Sequence, residues 1–430
     1  MTNTSTSPRG IPPAAPLRHR WKILAAGVAA NAAFSVAFSG IPTTAVVMRA
    51  DYALDNATLG LVLGLMGLGI ALSELPWGML TDRWGDRPVL LTGLVGTAIA
   101  LAAMAVFAAP TPHGVPGLGW LGSGLVVVGL LGGSVNGASG RAVMSWFGDG
   151  ERGLAMSIRQ TAVPMGGAIG ALALPMIAHR FGFAVVYVVL SLLCVAAAAL
   201  SWTWVHEPPP SREESQAASH SVAGIVVGKS ASPLGDARIW RIVAGIGVLC
   251  APQFAVISFG TVFLHDVGHL GLTSLTAAMV FVQGGAMVMR VWSGRWTDRR
   301  RNRPSYLRAC SGLSVLLFGA LAAAALVAQG RTGMPLSLMV LLTILLAVSG
   351  VCVSAWHGVA YAELATLAGA ARSGTALGMA NTFVFGVCFL TPLAIPHLVA
   401  LDGWPLVWIV VSACALAAMP LLAPAKVARA

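Results

Sequence analysis

The chain has 430 residues, of which 57% are hydrophobic and only 10% are charged, and its mean hydropathy is +0.81. Too few polar side chains are present to cover a water-soluble surface of that size, so a soluble domain is excluded. The formal net charge of +11 at pH 7 is compatible with a nucleic-acid partner or with a membrane topology.

Apolar runs divide the chain into predicted membrane spans, which glycine, proline and charge clusters separate. Spans 1 to 6 are predicted at residues 22–47, 57–80, 88–109, 119–144, 153–178 and 182–204. Spans 7 to 12 are predicted at residues 239–264, 273–294, 305–328, 336–361, 373–397 and 404–423. The first run is too long for a signal-peptide core and is expected to stay as span 1. The predicted fold class is an all-α membrane protein with twelve transmembrane helices.

A polar segment near the middle of the chain separates the spans into two sets. It contains prolines at 208–210, Glu213, Glu214 and several serines, a composition typical of a flexible linker. We predict a tail at 1–21, an N-terminal six-helix bundle at 22–205, a linker at 206–237, a C-terminal six-helix bundle at 238–424 and a tail at 425–430.

The basic residues lie mainly on one side of this topology. Of the 26 Lys and Arg, 20 fall on the side of the N-terminus; Arg49, Arg180 and Arg331 fall on the opposite side, and Arg141, Arg159 and Arg290 lie inside spans. Because Lys and Arg accumulate in cytoplasmic loops, we predict a cell inner-membrane protein with both termini in the cytoplasm. The net positive charge is then explained by the topology of the chain in the lipid bilayer, and no nucleic-acid partner is expected.

The two sets of spans resemble each other in sequence. Residues 21–25 match residues 240–244, and residues 78–88 share six identities in eleven positions with residues 294–304. A third match pairs Gly153 with Gly374 and Pro175 with Pro396. Repeats of this kind are typical of transporters built by duplication, so the two bundles are predicted to be pseudo-symmetric.

The loop after span 2 carries the pattern G-x-x-x-D-R-x-G-x-R, formed by Gly78, Asp82, Arg83, Gly85 and Arg87. It resembles the loop 2–3 signature of the major facilitator superfamily, and a degenerate copy containing Asp298 and Arg299 follows span 8, where that family places one. The resemblance implies a transporter and not an enzyme. It also implies that the protein works as a monomer and that the residues of these loops govern gating. Charges at these helix ends can pair across the gate and separate during opening.

Two arginines inside spans indicate the chemistry of the site. Arg159 lies eight residues after Glu151, and Arg290 lies eight residues before Asp298, which puts both roughly 12 Å deep in a core about 30 Å thick. Such a charge costs about 2.5–3.5 kcal/mol, and its guanidinium fork suits a carboxylate or another oxyanion. In the resembled fold spans 5 and 8 face each other, so we expect both arginines to bind an anion. The alternative for each is a permanent pair with a protein carboxylate or a helix carbonyl.

Other polar residues in apolar spans are candidate substrate ligands or proton carriers. The candidate ligands are Asn31, Gln160, Gln283, Trp356, His357 and Asn381, although hydrogen bonds between helices explain such amides equally well. Glu74 and His357 are candidates for proton coupling, with structural pairing of Glu74 and packing of a neutral His357 as the alternatives. No metal site or cofactor is predicted.

The sequence therefore predicts a secondary active transporter of a small anion that works by alternating access and is coupled to protons. The pattern of Arg290, Gly294 and Asp298 resembles span 8 of monocarboxylate and oxalate-type carriers, which makes a monocarboxylate the expected substrate. One alternative is a drug or cation exporter of the same fold, which an acid dominating the cavity would favour. Another is a non-transporting membrane sensor, which a signalling domain would favour.

Overall fold

The computed structural model describes residues 17–112, 114–147, 152–206, 233–329, 331, 333–368 and 373–422. Most of the predicted linker, the first 16 residues and the predicted C-terminal tail lie outside these ranges, so their boundaries stay predictions. The described residues form helices, with one isolated β-bridge between Thr111 and Gly114. The predicted all-α class is confirmed.

The first six spans are long helices with short connections. Span 1 comprises the helix Leu17–Gly40, a 3-10 turn at Ile41–Thr44 and the helix Ala45–Asp51; spans 2, 3 and 4 are Asn56–Trp84, Asp86–Phe107 and Leu118–Trp146. Span 5 begins with Arg152–Gln160, and its remainder is continuous with span 6 in the helix Ala162–Trp204. Pro42 accounts for the 3-10 turn, since proline has no N–H to continue an α-helical ladder.

The second six spans follow the same plan. Span 7 is Ala237–Asp266, preceded by a 3-10 turn at Pro233–Gly235, and spans 8 and 9 are Leu272–Arg300 and Arg303–Ala328. Span 10 is broken into Leu336–Ser354 and His357–Ala368, and spans 11 and 12 form one helix, Ser373–Leu421.

The described part of the chain has ten helices that are long and apolar enough to cross a membrane. Two of these spans, Ile158–Trp204 and Thr375–Leu421, have 47 residues, roughly 70 Å and about twice the thickness of a bilayer core. Each bends midway, at Gly182 with φ 78° and at Gly403 with φ 74°, a backbone conformation that glycine adopts without a steric cost. Each long helix thus accounts for two crossings, consistent with the twelve predicted spans. We call the side on which span 1 begins the terminal side, and the opposite side the far side.

The two sets of spans meet where span 2 packs on span 11 and span 5 packs on span 8. Near the far side the contact is close: a Cβ atom at Gly60 would collide with the carbonyl oxygen of Pro392, and one at Gly67 would lie 3.2 Å from Cys388 Cβ. Towards the terminal side, a Cβ built at Gly78 would meet no described atom within 4 Å apart from its chain neighbours and the backbone of its own helix. The halves are therefore closed on the far side and apart on the terminal side.

Candidate functional site

Arg290 reaches span 5 because the backbone there offers it an acceptor. Pro164 has no N–H, so the carbonyl of Gln160, four residues earlier, receives no donor from it within the helix. Arg290 Nη1 donates to this carbonyl oxygen at 3.2 Å. The proline in span 5 thus frees a carbonyl opposite the buried Arg290 of span 8. The hydrogen bond between them joins the two halves at the residue next to Arg159.

No carboxylate neutralises Arg290 among the residues that the structure describes. Its side chain is buried, with 4% of the residue exposed, and Nε has no described hydrogen-bond partner. Its electrostatic neighbours are Tyr361, Cys250 and His357, and the ion pairs of the described residues do not include it. Arg290 is therefore a buried cation with an incomplete set of acceptors.

Arg159 is buried as well, but it is bound to its own half. Its Nε and Nη2 donate to Ser139 Oγ at 3.1 and 2.9 Å, and Nη2 donates to the carbonyl oxygen of Asn136 at 2.6 Å. Gly140 lies beside the guanidinium, since a Cβ there would be in van der Waals contact with Arg159 Cζ at 3.5 Å. Span 4 therefore fixes the position of Arg159.

Glu74 lies between Arg159 and the second half. Asn136 Nδ2 donates to Glu74 Oε1 at 3.2 Å, and Glu74 interacts electrostatically with Arg159 and by a hydrogen bond with Asn381. Tyr361 donates its hydroxyl proton to Asn381 Oδ1 at 2.7 Å. A continuous polar chain consequently runs from Arg159 in span 5 through spans 4, 2 and 11 to span 10.

The other predicted ligands are buried polar groups with unused hydrogen-bonding atoms. Within the described residues, Asn31 Nδ2 and Oδ1, Gln283 Nε2, Trp356 Nε1 and His357 Nδ1 lack partners. Gln283 faces Gly167 of span 5 two turns before Arg290, and the ring centroids of Trp356 and His357 are 3.9 Å apart. Such atoms are costly unless a ligand or water pairs with them.

The predicted gating residues whose contacts the structure describes bond within their own halves. Gly85 alone connects spans 2 and 3, with φ 85°. Arg87 donates to Trp202 O at 2.8 Å, and Asp298 accepts from Arg303 at 2.9 Å, so each bond stays within one half. Arg83 and Arg299 are exposed, and the side chain of Asp82 lies outside the described residues.

An ion pair that sequence reasoning missed joins the halves on the far side. Arg49, at the end of span 1, donates from Nη1 and Nη2 to the two carboxylate oxygens of Asp266, at the end of span 7, at 2.8 and 2.6 Å. Arg49 also donates to Asn56 Oδ1 at 3.0 Å, and His265 Nδ1 lies 2.9 Å from Asp266. We call the Arg49–Asp266 pair the far-side latch.

Ser139, Asn136 and Tyr361 were also missed as members of the site. A residue pattern cannot single out one serine among the many in apolar helices, and it does not show which of the four tyrosines meets the polar residues of another span. The far-side latch could have been found from the sequence. Arg49 and Asp266 have opposite charges, lie at matching ends of related spans and are 217 residues apart, close to the separation between the matching segments of the two halves.

Most of the chain is similar to known proteins. A family model described as Major Facilitator Superfamily matches residues 24–344. An uncharacterized MFS-type transporter of Mycobacterium tuberculosis is 30% identical over 408 residues, which cover 94% of this chain and 84% of that protein.

More limited similarity extends to two Bacillus subtilis proteins. A probable galactarate/D-glucarate transporter is 27% identical over 37% of this chain and 34% of its own length, and a hexuronate transporter is 24% identical over 40% and 39%. Among solved structures, a bacterial homologue of the human lysosomal transporter Spinster, in an inward-facing and unoccupied conformation, matches with a TM-score of 0.64 and 14% identity over 96% of this chain and 95% of that chain. That likeness supports the fold.

Proposed function

This chain belongs to the major facilitator superfamily, and we propose that it transports a small organic anion, a monocarboxylate, together with a proton. It is a membrane transporter by family. Relatives named for the transport of hexuronate and of galactarate or D-glucarate support a carboxylate as the substrate class.

The observation that carries the proposal is the unpaired buried charge of Arg290. An uncompensated cation in a desolvated site costs about 3–5 kcal/mol relative to the paired state. The edge formed by Nε and Nη2 has no described hydrogen bond, while Nη1 is held by Gln160. A carboxylate of the substrate can accept two parallel hydrogen bonds from that edge.

Arg159 and Glu74 supply the coupling step. In the empty carrier the Glu74 carboxylate compensates Arg159 across Asn136. An entering anion competes with Glu74 for the positive charge of the site, and protonation of Glu74 ends that competition. Anion and proton are then carried together, with Glu74 as the proton carrier.

The unpaired amides favour a substrate that has polar groups beyond its carboxylate. Asn31 follows Gly27 by one helical turn, and a Cβ at Gly27 would contact Val143 and Ser139 of span 4. Asn31 therefore lies near the level at which Ser139 holds Arg159, and Gln283 lies two turns from Arg290. Both side chains can donate to and accept from a hydroxyl or keto oxygen.

The two halves would alternate about this site. The structure is closed at the far-side latch and open on the terminal side, which we propose is the cytoplasm because Lys and Arg concentrate there. Release of the latch and approach of the loops that contain Arg83 and Arg299 would expose the site to the other side.

The experiment is uptake by the full-length protein in liposomes under an imposed pH gradient. The radiolabelled panel contains lactate, pyruvate, a hexuronate and glucarate. We expect saturable, gradient-stimulated uptake of a monocarboxylate, lowered roughly 100-fold in Arg290→Ala. Arg308→Ala, which removes an exposed arginine, is the matched control and should transport normally. Unchanged uptake in Arg290→Ala would contradict the proposal.

The same assay tests the cation-exporter alternative. Its structural support is Glu74, a buried acid at the interface between the halves. Transport of organic cations and of no anion, abolished by Glu74→Gln, would replace the anion proposal with that function.

A further inference from the structure

A cleft of about 880 Å³ lies between the terminal-side parts of spans 5 and 8. Span 5 contributes Ile158 and Thr161, and span 8 contributes the remaining lining residues. The cleft is separate from the buried cation of the site, because Arg290 is buried whereas Val288 is 64% and Trp292 47% exposed. Val288 and Trp292 stand two residues before and two residues after Arg290, on the face of span 8 turned away from the site, so the cleft opens sideways into the bilayer.

The lining of the cleft changes in character along span 8. Met287, Val288 and Val291 come first, and Trp292 and Trp296 follow. The two indoles are stacked with centroids 5.3 Å apart. Tryptophan concentrates at the level of lipid headgroups, between acyl chains and water.

Three arginines complete the cleft at its terminal-side end, namely Arg295, Arg299 and Arg300. None of them forms an ion pair with a carboxylate among the described residues. Arg300 Cζ lies 4.1 Å from the ring centroid of Trp296, a cation–π contact that orients the guanidinium. A concentrated positive charge is thus held at the headgroup level.

The order of apolar, aromatic and basic residues matches one leaflet of a bilayer. From Met287 to Arg300 the helix rises about 20 Å. Half of a hydrocarbon core is roughly 15 Å thick, so this stretch spans one leaflet's acyl-chain region and part of its headgroup layer. An acyl chain fits the apolar wall, and a phosphate fits the arginines, which bind phosphate oxygens bidentately.

We propose that this cleft binds an anionic phospholipid from the terminal-side leaflet, and that the lipid stabilises the arrangement in which the terminal side is open. Because residues of both halves form the walls, closing the terminal side would narrow the cleft and expel the lipid. The ligand therefore shifts the population of states through its differential affinity.

The test is native mass spectrometry of the full-length protein extracted from bilayers that contain phosphatidylglycerol and phosphatidylcholine. The wild-type protein should retain phosphatidylglycerol. The triple variant Arg295→Gln, Arg299→Gln, Arg300→Gln should bind it roughly 100-fold more weakly, at about a factor of five for each arginine. The control variant, Arg301→Gln with Arg308→Gln, removes exposed arginines outside the cleft and should retain it.

A second variant tests the apolar wall while keeping the arginines. Val288→Trp should lower phosphatidylglycerol retention, whereas Leu316→Trp, at a residue of span 9 that is 70% exposed, should not. Equal retention by the wild type and the triple variant would overturn the proposal. Displacement of the lipid by inorganic phosphate alone would overturn it too, because the arginines would then be a site for a free anion.

A conformational readout completes the test. Spin labels at Met79 and Thr375, both exposed near the terminal side of spans 2 and 11, report the width of the opening. Phosphatidylglycerol should increase the long-distance population in the wild type and leave it unchanged in the triple variant. A lipid response that persists in the triple variant would contradict the assignment.

Discussion

Removing the charge of Asp266 should open the far side of the protein. The pair with Arg49 joins the ends of spans 1 and 7, which belong to different halves, and it can exist only while those ends are together. Removing one partner destabilises the state that contains the pair by about 0.2–1 kcal/mol when the pair is exposed and by about 3–5 kcal/mol when it is buried. The side chains are 23% and 26% exposed, so we expect about 1.5–2 kcal/mol, a roughly 10–30-fold shift towards the far-side-open state.

The assay is a distance measurement by pulsed electron paramagnetic resonance. Spin labels at Ala57 and Leu401, exposed residues near the far-side ends of spans 2 and 11, should move apart in Asp266→Asn. Asp236→Asn is the matched control, because Asp236 pairs with Arg238 inside one half at 3.0 Å and asparagine still caps the helix. The exchange Arg49→Asp with Asp266→Arg should restore the closed distance. An unchanged distribution in Asp266→Asn would refute the latch.

Three further substitutions test other parts of the account. Glu74→Gln should leave anion binding intact and abolish stimulation of uptake by a pH gradient; persistent stimulation would exclude Glu74 as the proton carrier. Pro164→Ala restores a backbone N–H that competes with Arg290 for the carbonyl oxygen of Gln160. Loss of that hydrogen bond costs about 1 kcal/mol of positioning for Arg290, so anion binding should weaken about fivefold in equilibrium titrations. Gly60→Val collides with Pro392, at about 1–3 kcal/mol, and should lengthen the Ala57–Leu401 distance; an unaltered distance would contradict the proposed closure.

The helices were predictable because each apolar run had to cross a bilayer. The differences arise where tertiary contacts or single residues change the backbone. Span 10 was predicted to end at residue 361, but it breaks at Ala355 and continues to Ala368. The Ala355 carbonyl accepts from Ser293 Oγ at 3.0 Å, a contact with span 8 that no local pattern contains.

The charged members of the site were predictable for an energetic reason. A charged side chain inside a membrane span costs free energy and is rare, so Arg159, Arg290 and Glu74 could be selected as candidates from the sequence alone. The expectation that both arginines bind an anion stays a prediction. Their surroundings differ, because Arg159 has Glu74 as an acidic neighbour and Arg290 has none among the described residues. That asymmetry depends on the packing of span 2 against span 4, which sequence spacing does not specify.

The gating motif shows the same limit. The pattern at Gly78 and Gly85 located the loop between spans 2 and 3, which was predicted to be longer than the single residue Gly85. It could not show which state the protein occupies, since the same loop serves open and closed arrangements. The latch on the far side follows from a contact between residues 217 positions apart, which no local pattern contains.

The central claim is that a carboxylate of the substrate neutralises Arg290, and affinity for a matched ligand pair tests it most directly. Equilibrium binding is measured for the transported monocarboxylate and for its uncharged amide, with the wild type, Arg290→Gln and the control Arg308→Gln. We predict that the wild type and the control prefer the acid roughly 100-fold, and that Arg290→Gln binds acid and amide about equally. If Arg290→Gln kept the full preference for the acid, the negative charge would be recognised elsewhere and the account of the site would be wrong.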